Sequence, residues 1–213
     1  MCLFVANLRM SNDRETILTR VRDALAPLKE RAPLPDWDTE LAIMRRLVPA
    51  HEPWVLFCER LVAVNGLPLD SAAALAAWLR EHQHLHGYCD PALWPRLAAH
   101  FGEGFTVETE YDRARVDDYQ FGITAAAGAV AETGTLILDD RATTRRLAAL
   151  TPWVHIAVLS RAAIFADLQQ AVAAMGDDPN IIWCTGPSKT ADVEGILIEG
   201  VHGPGIQIAL LLG

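Results

Sequence analysis

The residues best able to do chemistry lie near the end of the chain. There the apolar run Ile181-Ile182-Trp183-Cys184 stops at Thr185-Gly186-Pro187-Ser188-Lys189-Thr190, followed by Ala191-Asp192-Val193-Glu194. A second turn, Gly200-Val201-His202-Gly203-Pro204-Gly205, carries one histidine. Glycine lets a ligand approach the backbone closely. Ser188 and Thr190 offer hydroxyls and Lys189 a cation. A helix beginning near Thr190 would add free N–H groups that attract an anion, worth about 0.3–1 kcal/mol. The GxxxxGK[ST] spacing is absent, so this is not a nucleotide phosphate loop of that kind. The plain alternative is a strand-to-helix turn capped by Ser188 with nothing bound.

Three ionisable residues could act directly. Glu132 interrupts the small and apolar run from Gly122 to Leu138 and is followed by Thr133-Gly134-Thr135. A lone acid in a core segment needs a partner or a task, and Arg145 or Arg146 could pair with it. Asp192 sits among Ala191, Val193 and Ile196, where an unpaired carboxylate costs several kcal/mol. Asp192 and Glu194, two residues apart, would point to different sides of a helix. His202 lies between two glycine turns, where a histidine can serve as acid, base or anion ligand. His155, in an apolar strand, reads as a core histidine. His82, His84 and His86 alternate, but no second ligand group stands near them, and no metal site is expected.

Elements must hold these residues. An apolar run closed by turn residues reads as a buried strand emptying into a loop, and in open α/β sheets ligands bind beyond such strand ends. Asn12 with Glu15 fits a capping box opening a helix through Ile17, Leu18, Val21, Leu25 and Leu28, which fades by Lys29 to Arg31. Ala32-Pro33-Leu34-Pro35 is an extended linker. Residues 1–36 therefore form an N-terminal helical arm, suited to packing on a partner subunit, and residues 37–213 a single domain. Helices are expected from Pro53 to Val62, from Ser71 to Gln83 and from Asp90 to about His100. A short strand falls within Ala63 to Leu69, and others at His84 to Tyr88 and Phe105 to Glu108. Two strands with a small turn fill Phe121 to Leu138. A helix over Thr144 to Leu150, a strand over Val154 to Leu159, a helix over Ala162 to Met175 and strands at Ile181 to Cys184 and Ile206 to Leu212 complete the chain. The alternation predicts an α/β fold with a mostly parallel sheet.

Composition narrows the class. The chain has 213 residues, 51% of them hydrophobic, and a formal net charge of -9. That acidity argues against a general nucleic-acid binder, which needs a basic face. No apolar run reaches the ~20 residues of a membrane span, and the cytoplasm is the expected compartment. Met1 to Leu8 lacks the basic start of a signal peptide; Met10 is an alternative initiator. Cys2, Cys58, Cys89 and Cys184 have no iron-sulfur or zinc spacing and read as reduced, mostly buried thiols.

Taken together, several stretches resemble the LUD-domain family. They are Gly122-Ile123-Thr124, Ala131-Glu132-Thr133-Gly134-Thr135-Leu136, His155-Ile156-Ala157-Val158, Gly186-Pro187-Ser188-Lys189-Thr190-Ala191-Asp192-Val193-Glu194 and Gly200-Val201-His202-Gly203-Pro204. They occur in the family's order across Phe121 to Leu212. The resemblance implies a Rossmann-like three-layer αβα fold of the sugar-phosphate isomerase and CoA-transferase kind. It also implies a part in oxidising L-lactate to pyruvate beside two partner proteins that carry the iron-sulfur clusters, this chain being the component without cofactor.

The family supplies no catalytic residue, so the site is inferred from position and chemistry. Glu132, Asp192 and His202 are the catalytic candidates. Thr124, Thr133, Gly134, Thr135, Gly186, Pro187, Ser188, Lys189, Thr190 and Gly203 are the ligand-binding candidates. Together they suggest a composite cleft walled by Glu132 to Thr135, Gly186 to Asp192 and Gly200 to Pro204. Three readings stay open. One is a cluster-free subunit binding a small anionic metabolite, with homo-oligomers possible. A second is a free-standing enzyme on a phosphosugar, CoA thioester or nucleotide, with Glu132 as nucleophile or base and Ser188, Thr190 and Gly203 as anion cradle. The third is a structural interaction module.

Overall fold

The first helix, α1, spans Ala6–Leu25 in a computed structural model that describes residues 6–27, 52–143, 146–175, 180–191 and 196–212. Ala6 to Met10 contains strong helix formers, and the helix begins there rather than at Asn12. Asn12 is thus an interior position and not a cap. Ile17, Val21 and Leu25 form an exposed apolar stripe. The Ala32 to Pro35 linker and Leu28 lie outside the described residues, as does Cys2. The chain divides into two units, Met1–Val48 and Pro49–Gly213; the expected boundary at residue 36 lies outside the described residues.

The second unit opens with α2, Pro53–Ala63, whose first residue is the proline, a position where a missing N–H costs nothing. Strand β1, Leu67–Leu69, follows. Helix α3, Ala72–Glu81, is capped as its sequence predicts, with Ser71 Oγ accepting from Ala74 N at 3.3 Å. Strand β2 is His86–Cys89. The helix expected from Asp90 to His100 is broken into α4, Trp94–Leu97, and a 3-10 turn, Ala98–His100. Pro95, like Pro91, lacks an N–H, so an unbroken ladder could not run through both. Strand β3, Thr106–Glu108, is next.

Phe121 to Leu138 forms three strands rather than two: β4 Phe121–Ala125, β5 Gly128–Val130 and β6 Thr135–Leu138. Helix α5, Arg146–Leu150, leads to β7, Val154–Leu159. The helix expected over Ala162 to Met175 is cut down. Ile164–Phe165 is drawn into the sheet as β8, pairing with Ala129 and Val130. Helix α6 then covers only Leu168–Ala174, capped by Asp167, whose carboxylate accepts from Gln170 N at 2.8 Å. Strands β9 Ile182–Cys184, β10 Lys189–Ala191, β11 Leu197–Glu199 and β12 Ile206–Leu211 finish the unit. No helix begins at Thr190. It is paired antiparallel with Ile198 instead, as suits a β-branched residue.

Six strands make a wholly parallel sheet in the order β1-β12-β7-β4-β2-β3. On one face Phe121, Ile123, Val154, Ile156, Val158, Ile208 and Leu210 meet Leu75 and Leu79 of α3 and Leu97 of α4. Each such side chain contributes about 1.5–3 kcal/mol on burial. Alternation sends Gly122, Thr124, His155, Ala157, Gln207 and Ala209 to the other face, where α5 packs on β4 and β7. The result is the expected Rossmann-like three-layer α/β arrangement. A second sheet, β8-β5-β6-β9, and a two-stranded ribbon, β10–β11, stand apart from the first. No helix among the described residues is long and apolar enough to cross a membrane.

The polar face depends on a close approach at Gly122, where a Cβ would lie 1.8 Å from the Ala148 carbonyl oxygen. Gly122→Val should therefore push α5 off the sheet and cost about 3 kcal/mol or more, the upper end for overpacking. Urea unfolding followed by circular dichroism checks this, and an unchanged midpoint would contradict the packing described.

Candidate functional site

Strand β9 does end in a loop that borders a cleft, but not in the crevice of a parallel sheet. It pairs antiparallel with β6, Cys184 opposite Leu136. The cleft, about 220 Å³, is lined by Ala149 and Leu150 from the end of α5, by Trp183 to Ser188, by His202 to Pro204, and by Gln207. It therefore opens beside the first residues of β7 and β12, at the amino edge of the main sheet. At the carboxyl edge the strand order reverses between β2 and β4. Asp90 stands there but is closed over, 3% exposed, with Ala92 N donating to its carboxylate at 2.9 Å.

Backbone contacts fix the walls. Gly134 and Gly186 have φ of 67° and 76°, a region costly for residues with a Cβ. Both turns press on the end of α2: a Cβ would lie 2.5 Å from Leu61 N at Gly134 and 2.3 Å from Val64 O at Gly186. Ser188 N donates to Pro204 O and Gly200 N to Ser188 O, each at 2.9 Å. These bonds tie the first wall to the histidine loop. The Trp153 ring packs against the backbone of Gly200 and Gly205 and supports that loop from outside.

The candidate residues separate into groups. Gly186, Pro187, Ser188, His202 and Gly203 come together as cleft lining. Gly203 lies against the Ser188 side chain, and His202 is exposed to solvent. Thr133, Gly134 and Thr135 adjoin the cleft without lining it. The two threonine hydroxyls form a chain, Thr133 Oγ1 to Thr135 Oγ1 at 2.7 Å and on to Thr185 Oγ1 at 2.8 Å, and Thr185 is in the lining.

Glu132 is elsewhere. Its carboxylate accepts from Leu168 N at 2.8 Å, satisfying a free donor of the first turn of α6. Arg146 pairs with Asp140 at 2.8 Å and not with Glu132; Arg145 lies outside the described residues. Lys189 Nζ donates to Val64 O at 3.0 Å and faces Glu199 at 3.5 Å, so its charge serves the ribbon base. Thr190 is half-buried in β10. Asp192 and Glu194 lie outside the described residues. The three alternating histidines do not converge on one site: His82 stacks on Trp78 with ring centroids 4.0 Å apart, His84 stacks on the same ring, and His86 bonds Glu108 at 2.9 Å.

Gln207 is a polar lining residue that sequence reading missed. A signal was available, since it is the lone polar residue in the run Ile206 to Leu212. It is 3% exposed and belongs to a buried seam with His155 and Thr124, both 0% exposed. Thr124 is thus inside the core behind the cleft, and His155 is the core histidine expected.

The seam's protons can be assigned from its partners. Gln207 Nε2 lies 3.3 Å from His155 O and 3.4 Å from Ile208 O. Carbonyl oxygens only accept, so the amide nitrogen belongs there. Its Oε1 therefore accepts from His155 Nδ1 at 3.1 Å. In a neutral ring Nε2 is then an acceptor, and Thr124 Oγ1 donates to it at 2.9 Å. Burial drives the His155 pKa down from 6.5 to about 4, only partly opposed by the Gln207 bond. Burial likewise pushes the Cys184 thiol up to about 11, so the cleft holds an uncharged thiol at neutral pH. Among the described residues no cluster of three or more His, Cys, Asp or Glu could hold a metal ion.

A family model described as LUD domain matches residues 80–212. Over 102 residues the chain is 36% identical to Lactate utilization protein C of Deinococcus radiodurans, covering 46% of this chain and 48% of that protein. Over 119 residues it is 32% identical to Lactate utilization protein C of Bacillus licheniformis, covering 52% and 50%. The chain thus spans about half the length of the curated relatives it matches. A crystal structure of a DUF162 family protein from Deinococcus radiodurans aligns with a TM-score of 0.56 at 26% identity, covering 76% of this chain and 97% of that one.

The neutral buried histidine sets a pH dependence. Its folded pKa, about 4, lies below the ordinary 6.5. Between those values the unfolded chain binds a proton that the folded chain refuses, so stability falls as pH drops through that window. Between pH 7.5 and 5 the native chain should lose about 2 kcal/mol more than His155→Phe. Urea titrations at the two pH values measure this, and equal losses would remove the assignment of a neutral buried ring.

Proposed function

This chain belongs to the LUD-domain family, and from that premise we propose that it acts in lactate utilisation as a cluster-free subunit whose cleft takes a small 2-hydroxy acid anion. The observation that carries the reading is the convergence of Gly186 to Ser188 and His202 to Pro204 on one cleft. These stretches are the two ends of the β10–β11 ribbon, and the backbone bonds that join them do not call for a histidine side chain. At about 220 Å³ the space is below the ~300–1,000 Å³ typical of sites for drug-sized ligands, which suits a three- or four-carbon acid. Relatives bearing the name Lactate utilization protein C support lactate as the first acid to try.

In this reading Ser188 Oγ and the His202 imidazole are the polar hands of the site, and the apolar wall of Leu150 and Pro204 meets the ligand's methyl end. The Cys184 thiol, pushed up to about 11 by burial, adds to the apolar wall as a neutral group. Removing two electrons from a hydroxy acid requires an acceptor, and the iron-sulfur partner proteins supply it. Gln207 closes the floor.

L-Lactate titrated into the full chain in a calorimeter should give saturable heat. His202→Ala and Ser188→Ala should each weaken binding by on the order of tenfold, the size of one lost hydrogen bond. Absence of saturable heat, or full affinity in both variants, would falsify the cleft as the lactate site.

A further inference from the structure

The seam behind the cleft constrains what the floor can offer a ligand. The Gln207 amide is held at both ends. Its Nε2 points at two backbone carbonyls, His155 O and Ile208 O, so its two hydrogens are directed into the sheet. Its Oε1 accepts one hydrogen, from His155 Nδ1 at 3.1 Å, and a carbonyl oxygen has a second lone pair. His155 cannot turn to offer a different proton, because Thr124 Oγ1 holds Nε2 at 2.9 Å and the ring is fully buried. Gln207 lines the cleft, and what it has left to give is an acceptor without a donor.

Resting on the reading of the cleft as a hydroxy-acid site, we propose that Gln207 is its specificity-determining residue, accepting the ligand's 2-hydroxyl proton and so favouring a 2-hydroxy acid over the matching 2-oxo acid. A 2-hydroxyl can donate to the spare lone pair. A 2-oxo group has no hydrogen to give, and its oxygen would face the amide oxygen lone pair to lone pair. A site built to bond a hydroxyl rejects the analogue that lacks it, because a buried polar group is left unpaired. His155 and Thr124 act through Gln207 as positioning residues: they hold the amide with its nitrogen on the sheet carbonyls, so that only its oxygen keeps bonding capacity for a ligand. An apolar trio in their place would be cheaper to bury. For an oxidation in which iron-sulfur partners would take the two electrons and solvent the two protons, the product carbonyl lacks the hydrogen that held the ligand, so the product binds more weakly than the substrate.

The test is a ratio measured on the full chain. L-Lactate and pyruvate, and 2-hydroxybutyrate and 2-oxobutyrate, are titrated by calorimetry into the native chain and into Gln207→Leu. The hydroxy acid of each pair should bind on the order of tenfold more tightly to the native chain. In Gln207→Leu the ratio should fall to about one, mainly by loss of hydroxy-acid affinity. A merely structural role would weaken both members and leave the ratio standing, and that outcome overturns the proposal. Lactate binding with no preference over pyruvate also overturns it while leaving the cleft as a carboxylic-acid site. Binding of none of the four acids removes both readings. Where Gln207→Leu does not fold, ¹⁵N spectra of the native chain decide: His155 protonated at Nδ1 supports the arrangement, and protonation at Nε2 means the amide is turned and ends it.

Discussion

The end of α2 is the surface on which the cleft is assembled. Two turns far apart in the chain, at Gly134 and Gly186, lie with their backbones directly on its last residues, at distances that leave no room for a Cβ. The same few residues also receive Lys189 at the Val64 carbonyl, and Asn65 donates to Glu199 at 2.8 Å. Neither turn belongs to the main parallel sheet. Without this shared contact the hydroxyl chain from Thr133 to Thr185 would have no common reference, and the wall carrying Ser188 would not be set against the histidine loop. Close-packed backbone is stiff, so the site's shape is defined by main chain and its chemistry by a few side chains placed upon it.

Much of this was legible in the sequence. Proline at the head of α2, Ser71 before α3, and the apolar runs of β7 and β12 each announced an element through local chemistry, and each formed within a residue or two of its expected bounds. What misled was pairing at a distance. Ile164-Phe165 reads as the first turn of a helix until β5 claims it, and Lys189-Thr190-Ala191 reads as a helix start until β11 lies alongside. A single stretch does not contain the partner that decides its conformation. The same limit explains the site. Gly186 to Ser188 and His202 to Gly203 stood out by residue type and do meet. Glu132 stood out for the same reason, and its carboxylate caps α6. An acid in an apolar run signals that a polar partner is required, without saying whether that partner is a ligand or a backbone N–H. Gln207 shows the reverse: one uncharged polar residue in a strand carries a weak signal until its neighbours across the sheet are known.

The two faces of the parallel sheet divide the labour. One is filled by branched and aromatic side chains against α3 and α4 and supplies stability. The other carries Gly122, Ala157 and Ala209 with Thr124, His155 and Gln207, and is thin enough for α5 to come down on the strands. Small residues set that depth, and the polar seam runs through it from the interior to the cleft. A parallel sheet usually presents ligands at its carboxyl edge. Here Asp90 is buried there, and the cleft lies at the amino edge, beside the loop before β12.

Among the described residues, main-chain bonds at the base of the β10–β11 ribbon, Ser188 N to Pro204 O and Gly200 N to Ser188 O, join it to the cleft wall, and Lys189 and Glu199 tie it to the end of α2. Two strands alone are marginal in water, and Leu197 and Ile198 leave the ribbon with apolar side chains in solvent. Its opening is therefore not private to the ribbon. Each time the strands part at their base, the wall loses its register with the histidine loop, so the amides of Ser188 and Gly200 exchange with solvent through the same event that dismantles one side of the cleft. Their protection is in that sense a clock for the lifetime of the site.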